Sequence, residues 1–341
     1  MATIMIASPL EAENVARIRA HDPRIEVLYA PELLPPVRYV ADHKGHPFTR
    51  DAGAQARWRD MMARADILWD LPAAEDLPFA KRLKWIQTTS TGVGPYVAAL
   101  GLAQTDVVVT TARGVHGGPL AEFVFMALLQ YWRGLAHLQA EQRAHRWTRY
   151  CGVEVAGRSL VLVGAGDLAR GCARIARALD MHVIAVARDP AKARGHNDLF
   201  DEILPATALH AALARADAAV ITVPHTADTE HLIDAAALAC LPPHAAFVNI
   251  ARGHVVDEAA LAAALAAGRV GFAALDVAHT EPLPPSSPLW DLPNVLISPH
   301  SASTVTSENR KIAEIFCQNL THWLDGAPQR MRNILDKTLL Y

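Results

Sequence analysis

Ser159-Leu-Val-Leu-Val-Gly164-Ala-Gly166-Asp-Leu-Ala169 joins a continuous apolar run to a glycine turn and then to helix-forming sequence. The run reads as a strand buried on both faces. Beyond the turn, Leu168, Ile175, Ala176 and Leu179 recur on one side with the period of a helix. Strand, turn and helix in this order make the G-x-G-x-x-A fingerprint of a dinucleotide site. Gly164 permits the tight turn, Gly166 lets a pyrophosphate approach the backbone, and Ala169 is small enough for close helix–strand packing.

Outward from this unit, Leu160–Val163, His182–Ala187, Ala218–Val223, Ala246–Ile250, Phe272–Val277 and Val295–Ile297 form six apolar runs separated by helical or loop segments. That rhythm predicts a Rossmann-like, doubly wound parallel sheet. Asp257 suits a helix N-cap, the alanine-rich run after it favours helix, and Gly268 suits a left-handed stop; a last helix over 307–325 ends at Gly326 in the same way. The first hundred residues repeat the pattern. Ile4–Ala7, Ile25–Tyr29, Ile67–Trp69 and Leu83–Gln87 read as strands, and 10–20 and 53–64 as helices, while Pro31–Pro47 reads as an irregular connection. The expectation is an α/β chain of two doubly wound parallel-sheet domains.

Pro119 suits a first helical position, and from it a helix is expected to run to about Arg146. Leu120, Val124, Ala127, Tyr131, Leu135 and Leu138 keep one stripe apolar along it. At ~1.5 Å per residue such a helix spans about 42 Å, which favours a homodimer contact over packing within its own chain.

With 341 residues, 51% of them hydrophobic, the chain can bury two cores. A formal net charge of -3 gives no electrostatic case for nucleic acid or an anionic membrane, so small molecules are the expected partners. No apolar stretch reaches the ~20 residues of a spanning helix, and the N-terminal apolar run is too short for a secretory signal. Cys151, Cys172, Cys240 and Cys317 are widely separated, which suggests neither a metal site nor a disulfide framework and fits a cytoplasmic protein with reduced thiols.

Three stretches after strand-like runs carry chemistry: Asn249-Ile-Ala-Arg252-Gly253, Asp276-Val-Ala-His-Thr-Glu281-Pro282 and Ser298-Pro-His300-Ser-Ala. An arginine holds a carboxylate through two parallel charge-assisted hydrogen bonds. A histidine exchanges a proton near neutral pH, and a glutamate beside it favours the protonated ring. Those are the requirements of a 2-oxo acid reductase. Taken singly, each residue has a plain structural reading; their ordered placement after successive strands is what joins them. His244, His254 and His279 fall outside these positions and read as structural.

Where NAD-binding sites place an acidic residue on the adenosine ribose, this chain has Ala187 followed by Arg188. Without a carboxylate to repel a 2′-phosphate and with an adjacent guanidinium, the pair favours NADP(H), with NAD(H) possible. Alternatively Arg188 points to solvent, or Asp189 serves the ribose.

The glycine turn and the three stretches, in this order, resemble the D-isomer-specific 2-hydroxyacid dehydrogenases, the family of glyoxylate/hydroxypyruvate reductases and phosphoglycerate dehydrogenases. Leu83-Lys-Trp-Ile-Gln, Ser90-Thr-Gly-Val93, Ala112-Arg-Gly-Val-His116, Ala121-Glu122 and Asn333-Ile-Leu-Asp336 extend the likeness over nearly the whole chain. The resemblance implies a substrate-binding domain over 1–112, a dinucleotide-binding domain over 113–303, a return to the first over 304–341, and an active-site cleft between them. It implies interconversion of a 2-oxo acid and its D-2-hydroxy acid. Arg252 would hold the carboxylate, His300 would act as acid/base, and Glu281 would partner it. It further implies cofactor contacts at Gly164, Ala165, Gly166, Asp167, Leu168, Arg188, Val223, Pro224, Ile250, Ala251 and Asp276, and substrate contacts at Thr91, Gly92 and Val93. A cofactor-sensing corepressor of the same fold is an alternative, opposed by the complete set of three residues. A formate dehydrogenase is another, opposed by Glu281 where those relatives carry glutamine. Trp85, Tyr96, His116 and Trp290 are candidate pocket walls, with core packing the alternative for any one aromatic, and which 2-oxo acid is used stays open.

Overall fold

The computed structural model describes residues 1–193, 195 and 198–340. The chain divides into two compact units, Met1–Val115 with Thr304–Tyr341, and His116–Ser303.

In the first unit, β1 (Ala2–Ile6), β2 (Ile25–Leu28), β3 (Ile67–Trp69), β4 (Trp85–Gln87) and β5 (Val108–Thr110) form a parallel sheet ordered β2-β1-β3-β4-β5. The strand period of two splits the core into layers. Ile4 and Ile6 pack with Val15, Ile18 and Phe316, while Met5 packs on the other face with Trp58, Met62 and Leu68. Trp85 belongs to this core and not to a pocket. It stacks on Phe316 with ring centroids 5.0 Å apart and donates to Thr110 Oγ1 at 2.8 Å, so the expectation of Trp85 as a pocket wall is corrected. The strand β5 was not among the expected ones, although its Val-Val-Thr sequence is β-branched throughout. Apart from a turn of 3-10 helix at Pro31–Leu33, the segment to Pro47 contains no helix or strand.

In the second unit, β6 (Ser159–Val163), β7 (His182–Ala187), β8 (Glu202–Pro205), β9 (Ala218–Ile221), β10 (Ala246–Asn249), β11 (Phe272–Leu275) and β12 (Val295–Ile297) form a parallel sheet ordered β12-β11-β10-β9-β6-β7-β8. Seven strands stand where six were expected. The addition is β8, whose Glu-Ile-Leu-Pro sequence offers two strand-forming apolar residues and is only partly buried. Strand order reverses between β6 and β9, and such switch points leave a crevice beyond the strands' carboxyl ends where ligands bind.

The expected single helix over 119–146 is two helices, Gly117–Trp132 and Leu135–Arg143. Gly134 divides them at φ 64° and ψ 41°, a left-handed conformation natural to glycine. The ring of Tyr150 also stands 3.2 Å from where a Cβ at Gly134 would lie. The division separates two environments. Leu120, Val124, Ala127, Leu128 and Trp132 are buried in the unit's own core, whereas Leu135 and Leu138 beyond the break are exposed. Within the core, Gly171 packs so closely on the first of these helices that an added Cβ would lie 2.5 Å from the Gly117 carbonyl oxygen. Among the described residues no helix is long and apolar enough to cross a membrane.

Candidate active site

The fingerprint turn lies directly beyond the carboxyl end of β6. Gly164 sits at φ 116°, and a Cβ there would stand 2.5 Å from Thr222 Oγ1 on the neighbouring loop. Thr222 Oγ1 is itself fixed, donating to the Val163 carbonyl at 2.9 Å. Gly166 has open space where its Cβ would be, and the helix Asp167–Ala178 begins at once, so its first amides face that space. Ala169 is fully buried against the sheet. Tight behind and open in front, the turn forms a cradle that fits a pyrophosphate. Ala165, Asp167 and Leu168 line the turn half-buried, and Asp167 pairs with Arg170 one turn on.

Beyond β10 the backbone turns sharply, and Asn249 holds the turn. Its Oδ1 accepts from Ala251 N at 3.0 Å and its Nδ2 donates to the Arg252 carbonyl at 3.1 Å. Ile250 and Ala251 are buried, and Arg252 stands half-buried at the rim with one Nη donating to the Ala251 carbonyl at 2.6 Å. Among the described residues Arg252 makes no ion pair, which leaves guanidinium donors for an anionic ligand. Gly253 packs against the next loop: an added Cβ would stand 2.0 Å from the Ala278 carbonyl oxygen.

Asp276, buried beyond β11, organises the histidine loop. Its Oδ1 accepts from Ser298 Oγ at 2.6 Å and from the amides of Ser301 and Ala302 at 2.9 Å each, and its carbonyl accepts from His300 N at 2.8 Å. These bonds hold His300 at φ 53°, a left-handed conformation uncommon outside glycine. From there His300 Nδ1 meets Glu281 Oε2 at 2.8 Å, while Glu281 Oε1 accepts from Ala278 N at 3.1 Å. Both side chains are nearly half exposed. With Nδ1 engaged, Nε2 is the nitrogen available for proton exchange.

The second unit therefore brings Arg252, Glu281 and His300 onto loops beyond β10, β11 and β12, neighbours in the sheet. Val223, half-buried, and Pro224, exposed, follow β9. Arg188 is exposed directly after β7, and Asp189 next to it accepts from Lys192 N at 3.1 Å, which engages it as a helix cap. Thr91, Gly92 and Val93 lie in the first unit between β4 and the helix Gly94–Ala99, with Thr91 and Gly92 exposed. Tyr96 and Trp290 are exposed and His116 is buried. Sequence reasoning passed over Asn249 and Ser298. The available signal was their place inside the quoted motifs, where a polar residue at a strand end implies a partner in the turn. It also passed over His225, which stacks on His254 with centroids 4.9 Å apart; His254 in turn meets His279 at 4.3 Å.

The model of the D-isomer specific 2-hydroxyacid dehydrogenase NAD binding domain matches residues 125–302. D-3-phosphoglycerate dehydrogenase of Mycobacterium leprae is 35% identical over 295 residues, covering 81% of this chain and 54% of that protein. The chain thus spans about half the length of the curated phosphoglycerate dehydrogenases it matches. Glyoxylate reductase of Thermofilum pendens is 31% identical over 274 residues, covering 79% of this chain and 80% of that protein. Among solved structures, a D-isomer specific 2-hydroxyacid dehydrogenase family protein of Aeromonas salmonicida is similar with a TM-score of 0.83 and 29% identity, over 98% of this chain and 99% of the other. An NADPH-dependent glyoxylate/hydroxypyruvate reductase of Sinorhizobium meliloti, in complex with NADP and sulfate, has a TM-score of 0.78 and 25% identity over 100% of both chains.

Proposed function

The chain belongs to the D-isomer-specific 2-hydroxyacid dehydrogenase family, and from that premise we propose that it reduces a 2-oxo acid to the D-2-hydroxy acid. The observation that carries the reading is the 2.8 Å pair of His300 and Glu281 beside the loop of Arg252, on three adjacent strand ends. The Gly164–Gly166 turn would hold the pyrophosphate of a nicotinamide dinucleotide, which would supply the hydride for the carbonyl carbon. Arg252 holds the substrate carboxylate by charge-assisted hydrogen bonds and so fixes the carbonyl's direction. His300 Nε2 gives its proton to the carbonyl oxygen, and Glu281 on Nδ1 stabilises the imidazolium before that transfer. Asp276 fixes the histidine loop with Oδ1 and would meet the nicotinamide amide with Oδ2. Ile250, Ala251, Val223 and Pro224 would flank the cofactor, and the loop Thr91–Val93 would offer amides to the carboxylate.

The test is initial rates on glyoxylate, hydroxypyruvate, pyruvate, phenylpyruvate and 2-oxoisocaproate with each reduced cofactor, followed by chiral analysis of the product. Cofactor oxidation with a D-product supports the reading; no oxidation with any substrate, or an L-product, ends it.

NADP(H) is the proposed preference, on the ground that β7 ends in Ala187 with Arg188 exposed after it. Arg188→Ala should cut the NADPH to NADH ratio of kcat/KM by about 10–150-fold, the worth of one charge-assisted contact. A ratio at or below one in the unaltered protein would overturn this. The proposed assembly is a homodimer. Met126, Leu129, Leu135, Leu138 and Trp147 are exposed along the two helices and the segment after them, and Trp147 is 99% exposed. Leu128 and Tyr131, on the first helix, are engaged inside the unit: Leu128 is buried, and Tyr131 stacks on Phe272. Leu135→Glu with Leu138→Glu is the sounder probe. It should yield monomers in light scattering, and a monomer before substitution would exclude the dimer. The cytoplasm is the proposed compartment, where reduced nicotinamide cofactors are available.

A further inference from the structure

His225, His254 and His279 follow β9, β10 and β11 at nearly the same distance from each strand end, and their rings form a column across three loops. His254 is the middle ring, 4.9 Å from His225 at 24° and 4.3 Å from His279 at 42°. His231 extends the column, its ring 6.0 Å from that of His279, and its amide donates to the His254 carbonyl at 2.9 Å. His225 and His254 stack and the other pairs meet at a tilt, and among the described residues no group of three or more such side chains is placed to hold a metal ion. The column stands on the loops that carry chemistry. His225 is two residues past Val223, His254 two past Arg252, and His279 two before Glu281.

We infer that this imidazole column positions the loops of Arg252 and Glu281, with His254 as its keystone, and that loading it with protons releases them. The inference rests on the proposed roles of Arg252 and Glu281. Stacked neutral rings attract through apolar contact, whereas neighbouring imidazolium rings at these separations repel. The charged groups on the surrounding segments are Asp228 and Glu230, Arg252, Asp257 and Glu258, and Glu281. Glu230 hydrogen-bonds His225 and pairs with His231 at 3.8 Å, and Glu258 accepts from the His279 amide at 2.8 Å. Among the described residues Glu230 is the carboxylate that meets the rings, on His225 and His231, so His254 and His279 take on charge with no carboxylate in contact.

In the direction of reduction, a protonated His300 is the active form, so its titration cannot lower the rate as pH falls. A decline of kcat/KM for the 2-oxo acid across the histidine range, about pH 8 to 5, therefore reports another group. The experiment compares the unaltered protein, His254→Phe and His254→Ala over this range, with cofactor dissociation constants and circular dichroism as controls. His254→Phe keeps a ring in the stack and cannot take a proton, so its activity should persist at least threefold better at the acid end. His254→Ala opens the stack, so KM for the 2-oxo acid should rise about three- to tenfold at pH 7.5 while cofactor binding holds. An acid profile of His254→Phe that superimposes on the unaltered one overturns the inference, even if His254→Ala fails to fold. His300→Asn separates the two readings: if it retains turnover the proposed chemistry fails, and if it is inactive while His254→Phe behaves as the parent, only the column fails.

Discussion

At the amino ends of β6, β9 and β10, Arg158, Asp217 and His244 bind one another. Asp217 accepts from Ser159 N at 2.9 Å, from Arg158 at 2.5 Å and from His244 at 3.2 Å. At the carboxyl ends of the same sheet, Arg252, Glu281 and His300 are again a guanidinium, a carboxylate and an imidazole, in different company: the guanidinium bonds its own backbone, and the carboxylate meets the imidazole and the Ala278 amide. In the first group one carboxylate gathers both cations and the amide that opens β6, and so ties strand ends together. The second is braced from behind by Asn249 and Asp276 and keeps capacity on its outer side. Residue type alone does not separate a brace from the proposed reaction centre; placement at the strands' carboxyl ends does.

The sharpest test of that contrast is His300→Asn, which should lower kcat by about 10²–10⁴ in steady-state assays with little change in cofactor binding. Glu281→Gln comes next. It replaces the carboxylate by a neutral amide that can also present a donor to Nδ1, a change worth ~10⁴ in a buried triad and, for this half-exposed pair, expected to be about 10² in kcat. Arg252→Ala should lower kcat/KM for the 2-oxo acid by about 10–150-fold, mainly through KM. At the opposite end Asp217→Ala should leave kcat within about twofold and cost about 1–3 kcal/mol of stability in urea titrations. Burial opposes ionisation of Asp217, yet the Ser159 amide and Arg158 outweigh it and hold the carboxyl below its ordinary range. A depressed carboxyl contributes stability above its unfolded-state titration and loses it as pH falls. The difference between Asp217→Ala and its parent should therefore shrink from pH 7 towards pH 3. If Asp217→Ala abolished turnover while leaving the urea midpoint unmoved, the contrast between the two ends would collapse.

Much of this was legible in the residues because local grammar and fold agreed. His182–Ala187 and Ile67–Trp69 are strands with the bounds their apolar runs suggest, and Asp257 caps its helix by accepting from Ala260 N at 3.0 Å. The turn glycines were legible too, since left-handed or crowded backbone excludes other side chains. What escaped had weak or ambiguous signals. The strand β8 opens on a glutamate and ends in proline, and β5 runs into Thr110-Thr111, whose hydroxyls blur the end of its apolar run. The apolar stripe over 119–146 runs straight through Gly134, because one glycine inside a helical pattern does not announce that its φ is positive. The bracing by Asn249 and Asp276 was hidden for another reason: hydrogen bonds between segments far apart in sequence leave no periodic trace. The histidine column escaped likewise, its members being spread over three loops.

The single oxygen Asp276 Oδ1, gathering Ser298, Ser301 and Ala302, bears on how the protein should fail. Loops usually melt before the sheets that carry them, so heat commonly silences an enzyme some degrees below its unfolding transition. Here the loop after β12 is tied to a buried residue at the end of β11. Amides of Ser301 and Ala302 should exchange with deuterium as slowly as strand amides, and loss of turnover on heating should coincide with loss of the fold.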